Sequence, residues 1–253
     1  MPDGANRFVW ISDVHRSKDP SFAYVPAHIN TLNAECVVDT GDVTSIDWTN
    51  AFNTYKAEME TLTAPWYVTP GNHDQGANHD YAEYDAVIGM DHFAVTVGPV
   101  RLIGFKTTTL PDTSLIIEQD EVDFITAELA ALDGLVPVAM THNDIQSVLM
   151  EGGGNINTLL AEGGFKAVLH GDLHQNCITK TVLGMLYVSG GSCNATITGD
   201  ETNTDGGMMV CDVYDDRMEI IYTRARWGWD RFRETNSGIA NDVKYIPITI
   251  SLL

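Results

Sequence analysis

Between Gly41 and Asp74 the chain reads GDVTSIDWTNAFNTYKAEMETLTAPWYVTPGNHD. A Gly-Asp pair opens this stretch and a Gly-Asn-His-Asp run closes it. Each follows a short apolar segment, ECVVDT (35–40) before the first and PWYVT (65–69) before the second. Between them Trp48, Phe52, Tyr55 and Met59 recur at helical spacing, which predicts a helix over 48–62. Strand, helix and strand, with a polar turn at each strand end, make the repeating unit of an α/β fold. In open α/β sheets, functional side chains gather at the carboxyl ends of the strands.

The same punctuation recurs on both sides. RFVWIS (7–12) reads as a strand that ends at Asp13-Val14-His15, and strands over 135–141 and 165–169 end at Thr141-His142 and before Gly171-Asp172-Leu173-His174. A helix is predicted over 22–34 and a second, acidic and amphipathic, over 118–132 (EQDEVDFITAELAAL). Gly98-Pro99 splits a β-pair at 92–97 and 101–106, and further strands are predicted at 177–183, 185–189, 207–214 and 218–225. Five loops thus leave strand ends carrying carboxylate, imidazole or amide groups. In an extended segment residues i and i+2 share a side, so Asp13 with His15, and Asp172 with His174, are expected to face one ion together. The glycines before Asp42, Asn72 and Asp172 are expected to permit the turn that swings each group inward.

The order D-x-H, G-D, G-N-H-D, H, G-x-x-H resembles the calcineurin-like metallophosphoesterase superfamily. The stretch 41–74 is especially similar to its cyclic-nucleotide and glycerophosphodiester phosphodiesterase branch. The resemblance covers roughly residues 7–225. It implies an α/β (in some schemes α+β) four-layer α/β/β/α sandwich of two packed mixed β-sheets, in a single domain over 1–253 with a C-terminal extension at 226–253. It further implies Asp13, His15 and His174 as ligands of a first metal, Asp42 as the carboxylate bridging two metals, and Asn72 and His142 as ligands of a second. His73 corresponds to the histidine that contacts the phosphate and protonates the leaving oxygen, and Asp74 to the group that orients it. Asn72 and His73 would then also bind substrate. The implied reaction is hydrolysis of a phosphate ester by a hydroxide bridging the two cations, most simply a diesterase on small nucleotide-like or glycerophospho substrates. A monoesterase, or a metal-binding scaffold of the same fold, is the alternative.

The chain departs from that pattern at one place. Where the superfamily has Gly-His-x-His, it has Gly171-Asp172-Leu173-His174. Either Asp172 is a ligand of the second metal, which the reading favours, or His170 reaches in from a shifted loop. A carboxylate in place of imidazole hardens the site, pointing to Mn²⁺ or Fe²⁺ first, with Mg²⁺ or Zn²⁺ as the other candidates. Purple acid phosphatases require Tyr where this chain has Ser45, so they are set aside. Phosphoprotein phosphatases hold phosphate with arginines, and the motif loops carry only Arg16.

Composition narrows the partners. With 35 acidic and 14 basic residues the formal charge is −21, which repels polyanions and disfavours a nucleic-acid platform. No run of eighteen apolar residues and no basic-then-apolar leader is visible, so no membrane partner and a cytoplasmic location are expected. The sequence is compatible with a homo-oligomer. Cys36, Cys177, Cys193 and Cys211 lack metal-site spacing and read as buried thiols. Two features stay peripheral: His79, in a second Asn-His-Asp triplet, as a substrate contact, and RARWGWDRFR (224–233) as a charge-balancing arm or a lid. Gly152-Gly153-Gly154 lacks the Lys-Ser/Thr of a P-loop and reads as a loop.

Overall fold

Phe8 and Trp10 leave the first strand on one side, Val9 and Ile11 on the other, and all four are buried. The same alternation holds for Leu102 against Ile103, Met140 against Ala139, and Leu169 against Val168. Side chains of a strand alternate faces, so strands apolar on both faces belong to sheets covered on both sides. A computed structural model describes residues 4–16, 20–45, 48–76, 80–174, 176–193, 207–224 and 248–253. His79 and 225–233 lie outside the described residues.

In chain order the elements are β1 (Asn6–Ile11), α1 (Val25–Ile29), β2 (Cys36–Asp39), α2 (Trp48–Met59), β3 (Trp66–Val68) and α3 (Ala82–Val87). There follow β4 (Phe93–Val97), β5 (Val100–Gly104), β6 (Thr108–Thr109), β7 (Leu115–Ile117), α4 (Gln119–Ala130), β8 (Val136–Thr141) and β9 (Leu149–Met150). The last are α5 (Ile156–Glu162), β10 (Ala167–His170), β11 (Asn176–Val182), β12 (Met185–Gly190), β13 (Gly207–Val213), β14 (Arg217–Arg224) and β15 (Ile248–Ser251). One six-stranded sheet has the order β15-β14-β13-β1-β2-β3, the other β11-β12-β10-β8-β5-β4. β1, β2 and β3 run parallel, as do β5, β8, β10 and β12, while the outer strands β4, β11, β13, β14 and β15 pair antiparallel.

The two sheets bury a shared core that includes Phe8, Trp10, Val38, Leu102, Met140, Leu169 and Cys211. Outside the first sheet, Phe52, Tyr55 and Met59 of α2 and Tyr84 of α3 pack on Val9, Val37 and Val68. Outside the second, Ile125 of α4 and Ile156 and Leu160 of α5 pack on Ile103, Ala139 and Val168. This is the expected α/β/β/α sandwich. Trp10 spans the space between the sheets and meets β12 at Gly190, where an added Cβ would lie 2.5 Å from the indole.

Four features differ from the sequence reading. The helix expected over 22–34 is broken into a 3₁₀ turn (Pro20–Tyr24), α1 and a second 3₁₀ turn (Asn30–Leu32). Pro26 sits in the first turn of α1, and Asn33 ends the segment in the left-handed region at φ 53°. A small third sheet, β6-β7-β9, lies beside the main ones. The core also runs past residue 225, because β15 pairs with β14 and buries Ile250 and Leu252. Its alternating apolar residues were too few to stand out. Finally, Asn72–Asp74 forms a 3₁₀ turn. Cys36, Cys193 and Cys211 are buried free thiols, and no helix among the described residues is long and apolar enough to cross a membrane.

Candidate metal centre

The parallel pair β1 and β2 does not separate where the strands end. The loops beyond them stay hydrogen-bonded, Asp13 N–H to Gly41 O (2.9 Å), His15 N–H to Asp42 O (2.9 Å) and Arg16 N–H to Val43 O (2.7 Å). These bonds hold Asp13, His15 and Asp42 at φ 53°, 44° and 56°, and the loop after β10 holds Asp172 and His174 at 67° and 50°. Asp and His enter this left-handed region more readily than most residues, yet each non-glycine position there stores roughly 1–2 kcal/mol. The extended i, i+2 geometry expected for Asp13 with His15 and for Asp172 with His174 is therefore replaced by left-handed turns. Tertiary hydrogen bonds, not strand geometry, aim these side chains.

Asp13, His15, Asp42 and His174 bring one ligand atom each to within 4.8 Å of one another. His15 Nε2 lies 3.3 Å from His174 Nε2 and 3.7 Å from Asp42 Oδ2, and His174 Nε2 lies 3.1 Å from Asp13 Oδ1. Ser45 Oγ, 2.5 Å from His15 Nδ1, fixes that ring with Nε2 inward. Asp13 Oδ2 accepts from Ser12 Oγ (2.6 Å) and from Asp172 N–H (3.2 Å). Burial holds His15 down to about 4, against the pull of Asp42 and Asp13, so its imidazole is neutral with a lone pair to offer. His174 is raised, by its hydrogen bond to Asp13.

Across Asp42 lies a second group. Asp42 Oδ1 is 3.3 Å from His142 Nε2, which is 3.8 Å from Asp172 Oδ1. His142 Nδ1–H donates to Thr40 O (2.9 Å), which leaves Nε2 as the atom facing the carboxylates. Burial pushes Asp42 upward, but the charge and hydrogen bond of His142 prevail and bring it to about 2. Asn72 sits on the adjoining 3₁₀ turn, its Oδ1 accepting from Asn143 Nδ2 (3.2 Å). Asp172 thus turns its carboxylate towards His142. His170 is buried, with Nδ1 at 3.1 Å from Gly171 O and its ring 6.2 Å from that of Tyr187.

His73 is exposed beside these groups, its ring 5.2 Å from His15, and its backbone N–H donates to Asp42 Oδ1 (2.8 Å). Asp74 has a different task from the one expected. Rather than orienting His73, its carboxylate accepts backbone N–H groups of Gly71 (2.8 Å), Thr44 (3.0 Å) and Val43 (3.2 Å), tying two ligand loops together. Asp39, missed in the sequence because it reads as part of a strand, ties the loop after β2 to α2. It accepts from Gly41 N–H (2.9 Å) and Tyr55 OH (2.8 Å), and burial raises it well above the usual carboxylate range. Ser192, also missed, donates to Asp13 O (2.9 Å) from the loop after β12. The glycines act through space as well as rotation. A Cβ on Gly71 would lie 2.3 Å from Asp42 Oδ1, and one on Gly171 2.0 Å from Ser12 Oγ.

Two atoms test whether these residues suit a cation. Asp13 Oδ1 and His142 Nε2 are buried and face titratable side chains of the cluster: His174 Nε2 lies 3.1 Å from the first, and Asp42 Oδ1 and Asp172 Oδ1 lie 3.3 and 3.8 Å from the second. Carboxylates and imidazoles gathered this closely away from water need a compensating charge, which a cation supplies. A carboxylate oxygen and an imidazole nitrogen aimed inward are also the donors that Mn²⁺, Fe²⁺ or Zn²⁺ accept, the imidazole giving up its proton to the ion. The donor set fits. Added Mn²⁺ at about a hundred times its dissociation constant should stabilise the fold by about 2.7 kcal/mol, a rise of about 5–10 °C in melting temperature for a chain of this size. An unchanged melting temperature by calorimetry would deny cation binding.

A sandwich of two mixed sheets whose strand-end loops converge on a carboxylate-imidazole centre defines a class of metal-dependent phosphoester hydrolases. The chain belongs to the calcineurin-like phosphoesterase family, whose model matches residues 6–176. A probable glycerophosphodiester phosphodiesterase GpdQ from Arcobacter nitrofigilis is 29% identical over 117 residues, 40% of this chain and 43% of that protein. Less than half of that relative's length is therefore spanned. Among solved structures, a dimetal phosphatase from Danio rerio matches 99% of this chain and 100% of its own at 12% identity and TM-score 0.67. The purple acid phosphatase PPD1 from yellow lupin seeds matches 98% of this chain and 54% of its own at 14% identity and TM-score 0.65. Both likenesses are of fold.

Proposed function

We propose that the protein is a dinuclear metal-dependent phosphodiesterase acting on small nucleotide-like or glycerophospho diesters. The carrying observation is the placement of Asp42, whose Oδ2 turns to His15 in one group while Oδ1 turns to His142 in the other. One carboxylate facing two histidine sets suits a bridge between two ions. Asp13, His15 and His174 would complete the first site, and Asn72, His142 and Asp172 the second. Divalent cations held there would acidify water and neutralise phosphoryl charge. In the reaction a water molecule gives up a proton to solvent as its oxygen becomes bonded to phosphorus, and the P–O bond to the leaving alcohol breaks as that oxygen takes up a proton. The chain's own contribution is placement. His15 and His142 are locked by Ser45 and Thr40, and exposed His73 would give the departing oxygen its proton.

Two observations support a diester over a monoester. Arg16 is held by Glu58 in a two-pronged ion pair (2.7 and 2.8 Å), so the cation of the motif loops is already committed. A phosphomonoester dianion would more urgently need such a clamp, in a chain of formal charge −21. The partial similarity to a probable glycerophosphodiester phosphodiesterase points the same way. The oxygen-rich second group favours Mn²⁺ or Fe²⁺. Metal analysis of the purified protein, with turnover of bis(p-nitrophenyl) phosphate against p-nitrophenyl phosphate in Mn²⁺, tests this reading. About two ions per chain and faster diester turnover are expected. Faster monoester turnover would overturn the diester assignment, and bound metal without turnover of either would make the chain a scaffold.

A further inference from the structure

Behind Asn72 runs a short line of buried polar side chains that the reaction does not use directly. Thr107, in the segment leaving β5, is 1% exposed, and its hydroxyl donates to Asn143 Oδ1 at 2.5 Å. Asn143, 4% exposed, follows His142 at the end of β8 and donates from Nδ2 to Asn72 Oδ1 at 3.2 Å. Tyr81 OH, donating to Thr107 O at 2.8 Å, holds the far end in place. Three elements distant in sequence thus converge on one amide.

The polarity of this line matters because an amide has two different ends. Only the oxygen of Asn72 can ligate a cation, since the NH₂ group offers donors alone. If Asn72 rotated by half a turn, its NH₂ would meet the Nδ2 of Asn143, donor against donor. The Thr107 hydroxyl, donating to Asn143 Oδ1, anchors that amide with its Nδ2 turned to Asn72. With one lone pair of Asn72 Oδ1 taken by Asn143, the other remains available to a cation. We propose that Asn143, oriented by Thr107, is the positioning residue that presents Asn72 oxygen-first and so sets the affinity of the second cation site. This rests on the two-cation reading above.

The test titrates metal-free protein with Mn²⁺ by calorimetry and follows bound Mn²⁺ by electron paramagnetic resonance, with circular dichroism as the folding check. Residues that orient a ligand typically change metal affinity by about 10–100-fold. Asn143→Ala should weaken the second binding event by about that factor and leave the first unchanged, with turnover recovering at saturating Mn²⁺. Thr107→Val should weaken the same event by about tenfold, whereas Thr107→Ser, which keeps the hydroxyl, should bind as the parent does. If folded Asn143→Ala and Thr107→Val both bind the second ion with parental affinity, the proposal is wrong. An equal loss in both events would also overturn it, by showing general loosening. If the parent protein itself takes up one ion only, the two-cation reading fails first.

Discussion

Asp42→Asn should lower turnover by about 10³-fold or more and reduce the bound metal from two ions per chain to at most one. Removing a single transition-state hydrogen-bond donor from an active site costs about 10²–10³-fold, and Asp42 does more than one donor would. Its Oδ2 faces His15, its Oδ1 faces His142, and the same Oδ1 accepts the backbone N–H of His73. An amide keeps the shape but loses the charge, and one of its two ends must now point NH₂ at a histidine set. The substitution is isosteric, so the protein should still fold and the loss will be one of charge. Metal analysis and bis(p-nitrophenyl) phosphate turnover on the same preparation check both parts. An active Asn variant retaining two ions would end the bridging assignment.

The second large effect concerns stability. Gly41 lies at φ +97°, and a Cβ there would meet Gly71 N at 2.5 Å, Thr69 O at 2.6 Å and Pro70 C at 2.7 Å. All three obstacles are backbone, so no side chain can swing away to relieve them. Gly41→Ala combines left-handed strain of about 1–2 kcal/mol with overpacking of about 1–3 kcal/mol. The sum, about 2–5 kcal/mol, corresponds to a fall of about 5–15 °C in melting temperature. The damage should reach the site, because the atoms pushed aside belong to the loops carrying Asp42 and Asn72. A thermal melt of Gly41→Ala within 1 °C of the parent would show that the two loops are not tightly apposed.

An α/β layered fold was legible in the sequence because its central strands carry their message locally, while the four-layer sandwich followed from the family resemblance of the strand-end motifs. Phe8-Val9-Trp10-Ile11 is apolar at every position, which only a sheet covered on both faces accommodates. The ligand loops were legible for a related reason: Asp-x-His, Gly-Asp and Gly-Asn-His-Asp interrupt apolar runs at strand ends. What stayed hidden depends on partners remote in the chain. Nothing local to Asp13 or His15 specifies a left-handed backbone. The bonds from their N–H groups to Gly41 and Asp42 impose it. Asp172 reads as a neighbour of His174, yet its carboxylate turns to His142, thirty residues earlier. Asp74 looks like a partner for His73 beside it, and instead ties backbone from two loops. Asn143 carries no motif at all, and only the approach of Thr107 and Asn72 reveals its place.

The contact of Trp10 with Gly190 has a consequence for the chemistry above it. Trp10 lies three residues before Asp13, and Gly190 two residues before Ser192, which grips the Asp13 carbonyl. Asp13, His15, Asp42 and Asn72 ride on one sheet, while His142, Asp172 and His174 ride on the other. Trp10, packed in the shared core against bare backbone at Gly190, is therefore part of what holds the two sets of side chains apart. Trp10 acts as a shim. Replacing Trp10 by a smaller side chain would change the support under both sets of side chains without altering any member of either.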